Sequence, residues 1–220
     1  PAAAAVARAG TFRSAEHAAE TLAAAGRLGV SEEEREALRT SAGFESRSEE
    51  TLFALSLREL SSDDAASRLR AAQRLKALGA RPALPAVAAL LNAEPAADVR
   101  CALLEVIAAA GDKTLLPLVH AQLRSAEIEV RLAALEAAWR LGDVGCLERA
   151  AEDASPLMRR RAAVLASGDA SGLAVLERAA RDPDPSVRRV AVLGLGSGGG
   201  PEAEGVLLAA LEDPELTVRR

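Results

Sequence analysis

A glycine-rich stretch, GLGSGGG over residues 194–200, contains the spacing G-x-G-x-x-G at Gly194, Gly196 and Gly199. Loops that hold the pyrophosphate of a dinucleotide use this spacing. They also need a strand before the loop, a helix after it and a carboxylate about 20 residues further on. No strand is predicted before Gly194, and no G-K-[ST] follows, as a P-loop requires. We therefore interpret the stretch as a flexible turn between helical units.

The other residues with catalytic potential form no recognisable motif. His17 and His120 stand alone, and Cys101 and Cys146 show neither C-x-x-C nor zinc-site spacing. We interpret the histidines as ordinary helix residues and the cysteines as small core or boundary residues. Paired carboxylates such as Asp63–Asp64 precede predicted helices, where they favour the helix dipole. The sequence thus predicts no catalytic residue, no cofactor and no metal site.

Composition limits the classes of partner. The net charge is −5, and residues 1–60 and the remainder are each slightly acidic, so a duplex-binding domain is disfavoured. Half of the residues are hydrophobic but only 2% are aromatic, which favours closely packed helices over sheets. No signal segment and no apolar run of about 18 residues is present. With two scattered cysteines, these features predict a cytoplasmic protein without a membrane span.

A unit of about 30 residues repeats along the chain. Six arginines, which we call anchors, recur at spacings of 32, 31, 28, 29 and 31: Arg68, Arg100, Arg131, Arg159, Arg188 and Arg219. Six residues before each anchor is the turn position, which holds a polar or acidic residue: Ser62, Glu94, Ser125, Asp153, Asp182 and Asp213. A period held through six anchors indicates a repeat architecture.

Each unit reads as a helix, a polar turn, an anchor helix and a glycine that ends it. In the third unit the apolar positions are Val130, Ala134, Leu135 and Ala138. One such hairpin does not bury its apolar face alone, so neighbours must stack. The predicted fold class is all-α, with units at about 48–79, 82–111, 114–142, 144–168, 171–199 and an incomplete 201–220.

Residues 1–47 carry weaker signals and are predicted to be a helical lead-in or a degenerate capping repeat. Ser14–Leu28 is predicted as a helix, and Ser31 to Glu34 as a capping box that opens another. The sequence stops at Arg220, beside an anchor and without the polar closing repeat that an array needs. We therefore expect a longer parent chain, or a last helix that is disordered or cut away.

The turn DPDPSVR at residues 182–188 resembles the HEAT repeat family, especially its short bacterial phycobilisome-lyase type. The resemblance covers residues 48–220 and implies a right-handed α-solenoid of about five to six hairpins. It also implies that anchor arginines and turn aspartates stack between repeats as a structural ladder. That role falls on Arg100, Arg131, Arg159, Arg188, Asp153, Asp182 and Asp213. Ser62 and Ser125 depart from the pattern, so their units should couple less tightly.

In such proteins the anchor helices line the inner, usually concave face. Positions near offsets +1, +5 and +8 or +9 from the anchor should point outward from it. The predicted partner-binding residues are Gln73, Lys76, Glu105, Glu136, Trp139, Arg140, Arg160 and Arg189. Trp139 is either an exposed anchor for a partner or a residue lying flat across the groove before the fourth unit. For Glu136 and Arg140, a solvated i,i+4 salt bridge is expected.

The favoured function is a non-enzymatic scaffold or adaptor that binds a protein partner through this inner face. Nucleic acid and small-molecule partners are disfavoured. Three alternatives stay open: a HEAT-like DNA-binding or DNA glycosylase-type protein, a bilin lyase-type protein, and a regulatory repeat domain of a larger enzyme. The glycosylase alternative would rely on Arg160, Arg161 and Arg189 beside Trp139.

Overall fold

The computed structural model describes Thr21, Ala24, Ala25 and residues 30–41, 47–79, 81–198 and 200–220. The predicted helix Ser14–Leu28 and the residues His17 and Gly199 lie, wholly or mainly, outside this part of the chain. The described residues form helices joined by short turns and contain no strand. This confirms the predicted all-α fold of the helical-repeat solenoid class.

The α-helices of the described part are numbered in chain order. They are α1 Glu32–Ser41, α2 Arg47–Glu59, α3 Ala65–Ala77, α4 Leu84–Ala93, α5 Ala97–Ala110, α6 Leu116–Gln122, α7 Ile128–Arg140, α8 Gly145–Ala150, α9 Pro156–Ala166, α10 Leu173–Ala179, α11 Pro185–Gly198, α12 Glu204–Ala210 and α13 Leu216–Arg219. Short 3-10 turns precede α4, α6, α10 and α12. The anchor helices are α3, α5, α7, α9, α11 and α13.

The chain divides into two compact units, Pro1–Leu118 and Val119–Arg220. In the first unit α3 packs against α2 and α5, and α4 packs against α5. In the second unit α9 lies between α7 and α11 and also contacts α8 and α10, while α11 contacts α12 and α13. Within each unit, every anchor helix therefore packs on its own hairpin partner or on a neighbouring anchor helix.

Local sequence signals set the helix ends. At α1 the hydroxyl of Ser31 accepts a hydrogen bond from the Glu34 N–H, and the Glu34 carboxylate accepts one from the Ser31 N–H, which confirms the capping box. Asp64 caps α3 by accepting hydrogen bonds from the N–H groups of Ala66 and Ser67. Gly111 ends α5 in the left-handed conformation, with φ of 70°, as a C-terminal glycine does.

The predicted core positions are buried. Val130, Ala134, Leu135 and Ala138 of α7 are all fully inaccessible to solvent. Alanine at two of these four positions lets neighbouring backbones approach closely, which explains how an alanine-rich sequence forms a packed core. The helical periodicity of the third unit is therefore confirmed.

The interpretation of the glycine run as a flexible turn is wrong for Gly194 to Gly198. These residues continue α11 as a helix, and the chain turns at Gly200. A β-carbon at Gly194 would overlap the Oγ atom of Ser167 and lie 3.1 Å from Cδ2 of Leu176. Gly194 is thus a packing residue, because α11 approaches the preceding repeat too closely there for a side chain. A β-carbon at Gly196 would meet nothing within 4 Å.

Alanine substitutions should separate these two glycines. Gly194→Ala is expected to lower the free energy of unfolding by about 1–3 kcal/mol, because the added methyl group overpacks the contact. Gly196→Ala should raise it by about 0.5–1 kcal/mol, because alanine favours a helix over glycine. Urea unfolding followed by circular dichroism measures both. Equal effects of the two substitutions would contradict the packing role of Gly194.

Candidate functional site on the anchor helices

Arg159 joins two consecutive repeats. Its Nη1 atom donates hydrogen bonds to the carbonyl oxygens of Asp153 and Ala154 in its own turn, at 3.0 Å each. Its Nε and Nη2 atoms donate to the two carboxylate oxygens of Asp182 in the next turn, at 2.7 and 2.9 Å. The planar guanidinium can make both sets of bonds at once because its donors form a fixed fork.

The same arrangement recurs at other anchors. The carboxylate always occupies the turn position of the following unit. The Nε-to-oxygen distances are 2.7 Å for Arg68 to Glu94, 3.1 Å for Arg131 to Asp153 and 2.7 Å for Arg188 to Asp213. We call these three pairs and Arg159–Asp182 the ladder. Arg68, Arg131 and Arg188 also each donate to two backbone carbonyls of their own turns.

The ladder carboxylates also order their own turns. Asp153 accepts a hydrogen bond from the Ser155 N–H at 2.8 Å, and Asp182 accepts one from the Asp184 N–H at 2.9 Å. In both turns the donor is the residue directly before the anchor helix. One carboxylate therefore satisfies its own turn and the preceding anchor.

The ladder pairs are largely removed from solvent. Their side chains are between 0% and 17% exposed, with the Glu94 side chain the most buried. The hydrogen bonds from Arg68 hold the pKa of the Glu94 carboxyl below its usual range, although burial opposes this shift. Those from Arg188 lower the pKa of Asp213 to about 2. These carboxylates are charged and engaged at neutral pH.

Sequence reasoning missed one of the four ladder pairs. Arg68–Glu94 was not assigned to the ladder because only aspartates were considered, although Glu94 occupies the aligned turn position. Arg100 is half-buried on α5. Its role in the ladder stays a prediction.

The predicted face residues of the first unit are exposed on the anchor helices α3 and α5. Gln73 and Lys76 lie on α3, and Glu105 lies on α5. The Nζ atom of Lys76 is 2.9 Å from the Glu105 carboxylate, so two of the three residues form an ion pair between neighbouring anchor helices. Both side chains are well exposed, so this pair adds little stability.

In the second unit, the prediction of a salt bridge between Glu136 and Arg140 is wrong. The Glu136 carboxylate pairs with Arg161 of α9 instead, because the neighbouring anchor helix offers a guanidinium across the contact. This leaves Arg140 exposed at the end of α7. Trp139 is half-buried, so it is neither fully exposed nor enclosed.

Arg160 of α9 and Arg189 of α11 are exposed at offset +1. One turn further, at offset +5, the structure reveals two residues that sequence reasoning did not select. Val164 and Leu193 are 39% and 59% exposed. The sequence contains a signal for these two residues, because the residue at offset +5 is polar in the first three units (Gln73, Glu105 and Glu136) and aliphatic in these two. We call Arg160, Val164, Arg189 and Leu193 the α9–α11 face.

A concave site of about 380 Å³ in the second unit is lined by residues that include His120, Cys146 and Arg149. The Nε2 atom of His120 is 2.7 Å from an Asp143 oxygen, and Arg149 pairs with that same oxygen. Sequence reasoning missed this cluster because 23 residues separate His120 from Asp143. Burial, with the nearby Asp143 charge, raises the pKa of the Cys146 thiol to about 12, so it is a poor nucleophile.

The described residues also bear on metal binding and on membrane insertion. No group of three or more His, Cys, Asp or Glu side chains arranged to hold a metal ion is present among them. None of their helices is long and apolar enough to cross a membrane.

The fold and the ladder define a protein built of helical repeats joined by arginine–carboxylate pairs. The family model for HEAT repeats matches residues 172–220, which contain α10 to α13 and the Arg188–Asp213 pair. This match supports the predicted HEAT repeat family for that part of the chain. Its relation to the phycobilisome-lyase type stays a prediction. None of the curated proteins compared with the chain matches it.

Removal of one ladder carboxylate should destabilise the protein measurably. Asp182→Asn is expected to lower the free energy of unfolding by about 2 kcal/mol, because Arg159 loses a charged bidentate acceptor in a nearly buried place. The matched control is Glu152→Gln, which breaks the exposed Arg178–Glu152 pair and should change stability by less than about 0.5 kcal/mol. Urea unfolding followed by Trp139 fluorescence measures both. Equal losses would contradict the ladder.

Stability should also fall in acid as the ladder carboxylates protonate. The folded-state pKa of Asp213 is about 2, below its ordinary value of 3.8, so its contribution is present above about pH 4 and is lost as the pH falls through its folded-state pKa. We expect the stability difference between wild type and Asp213→Asn to shrink steadily between about pH 4 and pH 2. Urea unfolding across this range tests it. A difference that stays constant would show that Asp213 does not act as a paired carboxylate.

Proposed function

We propose that this helical repeat protein is a non-enzymatic scaffold or adaptor that binds a protein partner through the exposed side of its anchor helices. The observation that carries the proposal is the ladder. In the second unit it ties α7, α9 and α11 to one another through Arg131–Asp153 and Arg159–Asp182. The exposed side chains of these helices are thereby held in a fixed arrangement.

A surface that is ordered before binding loses less conformational entropy when a partner docks. HEAT repeat proteins generally use the extended surface of their stacked helices for binding. Here the anchor helices carry Arg140, Arg160 and Arg189 as exposed cations, and Trp139 is half-buried next to Arg140 on α7. Tryptophan and arginine are the residue types that most often dominate the energy of protein interfaces.

Two features support a role without catalysis. The thiol of Cys146 is buried and protonated at neutral pH, so it does not supply a thiolate. The Nε2 atom of His120 lies against Asp143 and within 3.4 Å of Arg149. These contacts fit a polar cluster that stabilises the turn before α8 at least as well as they fit a general base.

The proposal includes a protein partner in the cytoplasm, rather than nucleic acid or a small molecule. The net charge of −5 disfavours general attraction to a polyanion. Neither Cys101 nor Cys146 forms a disulfide, which suits a reducing compartment.

A nuclease-treated pull-down from the source lysate tests this function. Wild-type protein should enrich one defined protein, identified by mass spectrometry, and Trp139→Ala and Arg140→Glu should each lose it. Val144→Ala is the matched control, because Val144 is an exposed aliphatic residue that lies on the turn before α8 and belongs to no anchor helix. Circular dichroism verifies that each variant is folded.

Recovery of no specific protein by wild type, together with nucleic acid in an untreated sample, would overturn the proposal in favour of duplex binding. Loss of the enriched protein in Val144→Ala alone would place the binding surface elsewhere.

A further inference from the structure

The exposed side of α9 and α11 has an ordered pattern of charge and apolar surface. Arg160 and Val164 are four residues apart on α9, and Arg189 and Leu193 are four apart on α11, so each pair lies on one side of its helix. Because both anchors are fixed by equivalent ladder bonds, the two pairs occupy equivalent places in consecutive repeats. A row of two cations therefore runs beside a row of two aliphatic side chains.

The positive charge of this face is not neutralised within the described part of the chain. Neither Arg160 nor Arg189 forms an ion pair with a described residue. The neighbouring carboxylates are already engaged. Asp182 and Asp213 accept from anchor arginines, and Asp184 accepts from the N–H and hydroxyl groups of Ser186. Negative charge from another molecule would therefore complement these two arginines.

Aliphatic side chains on this side of α9 and α11 are exposed to solvent. Leu193 is 59% exposed, and Leu157, three residues before Arg160 and on the same side of α9, is 51% exposed. Gly196, three residues after Leu193, offers open backbone without a side chain. Arginine, aliphatic side chains and an open glycine together form a surface with apolar contacts flanked by cations.

We propose that the α9–α11 face binds an acidic amphipathic helix of a partner protein, with its apolar side on Leu157, Val164 and Leu193 and its carboxylates on Arg160 and Arg189. The inference rests on the proposed function and names the partner chemistry for this part of the surface. Neighbouring packed helices lie about 8–10 Å apart. A helix rises about 10 Å in seven residues, so apolar residues at i and i+7 reach the aliphatic side chains of both repeats.

The probe is a fluorescein-labelled peptide of about 18 residues with leucine at helical spacing and glutamate elsewhere, long enough to form a helix on the surface. Fluorescence anisotropy should show saturable binding to wild type. Arg160→Glu/Arg189→Glu should weaken it at least about tenfold, because attraction becomes repulsion. Val164→Ser/Leu193→Ser should weaken it to a similar degree, because the apolar contact is lost.

Two controls make the result specific. Arg124→Glu/Arg181→Glu changes the net charge by the same amount at exposed arginines outside this face, and should leave affinity within about twofold. A matched peptide with lysine in place of glutamate should prefer the Arg160→Glu/Arg189→Glu variant over wild type, which a merely destabilised protein would not show.

Equal binding of the glutamate peptide to wild type and to Arg160→Glu/Arg189→Glu would overturn the inference. So would an equal loss in the control variant, which would reveal attraction to net charge alone. Tighter binding of a duplex of about 20 base pairs, insensitive to Val164→Ser/Leu193→Ser, would replace the helix with nucleic acid. If the peptide fails while the pull-down partner is still lost in Trp139→Ala, the scaffold function stands and only this partner chemistry is wrong.

Discussion

The bidentate bond between an anchor arginine and a carboxylate of the following repeat is the interaction on which the rest of the structure depends. The turn before α9 contains two backbone carbonyls, of Asp153 and Ala154, that accept hydrogen bonds from a side chain. The Nη1 atom of Arg159 donates to these carbonyls, and its Nε and Nη2 atoms donate to the Asp182 carboxylate. Asp182 in turn accepts the Asp184 N–H at the start of the next anchor helix. One charged pair thus satisfies two turns and fixes the spacing of two helices.

This arrangement separates the residues that join the repeats from the exposed residues that we propose bind a partner. The charged pairs that join the repeats lie in the turns and in the first turns of the anchor helices, where they are largely buried. Side chains at offsets +1 and +5 take no part in the ladder. Units four and five place Arg160 and Val164, and Arg189 and Leu193, at those offsets. The exposed residues can therefore vary from repeat to repeat without altering the ladder pairs. Repeat folds in general acquire specific binding sites in this way.

The sequence predicted the all-α repeat, the core positions of α7 and the residues of three ladder pairs, because these features are periodic. It did not predict contacts that depend on how closely neighbouring helices approach. Glu136 pairs with Arg161 of the neighbouring helix rather than with Arg140 of its own helix. Gly194 lies within a helix at a place where Ser167 leaves no room for a side chain. His120 and Asp143 meet only through the fold. Such contacts have no signal in local spacing.

A double-mutant cycle on Arg159 and Asp182 measures directly whether the ladder couples consecutive repeats. The free energies of unfolding of wild type, Arg159→Gln, Asp182→Asn and the double variant are compared by urea unfolding. We predict a coupling energy of at least about 1 kcal/mol for this pair, against nearly zero for the exposed Arg178–Glu152 pair. Effects at Arg159 and Asp182 that add to within about 0.3 kcal/mol would contradict it.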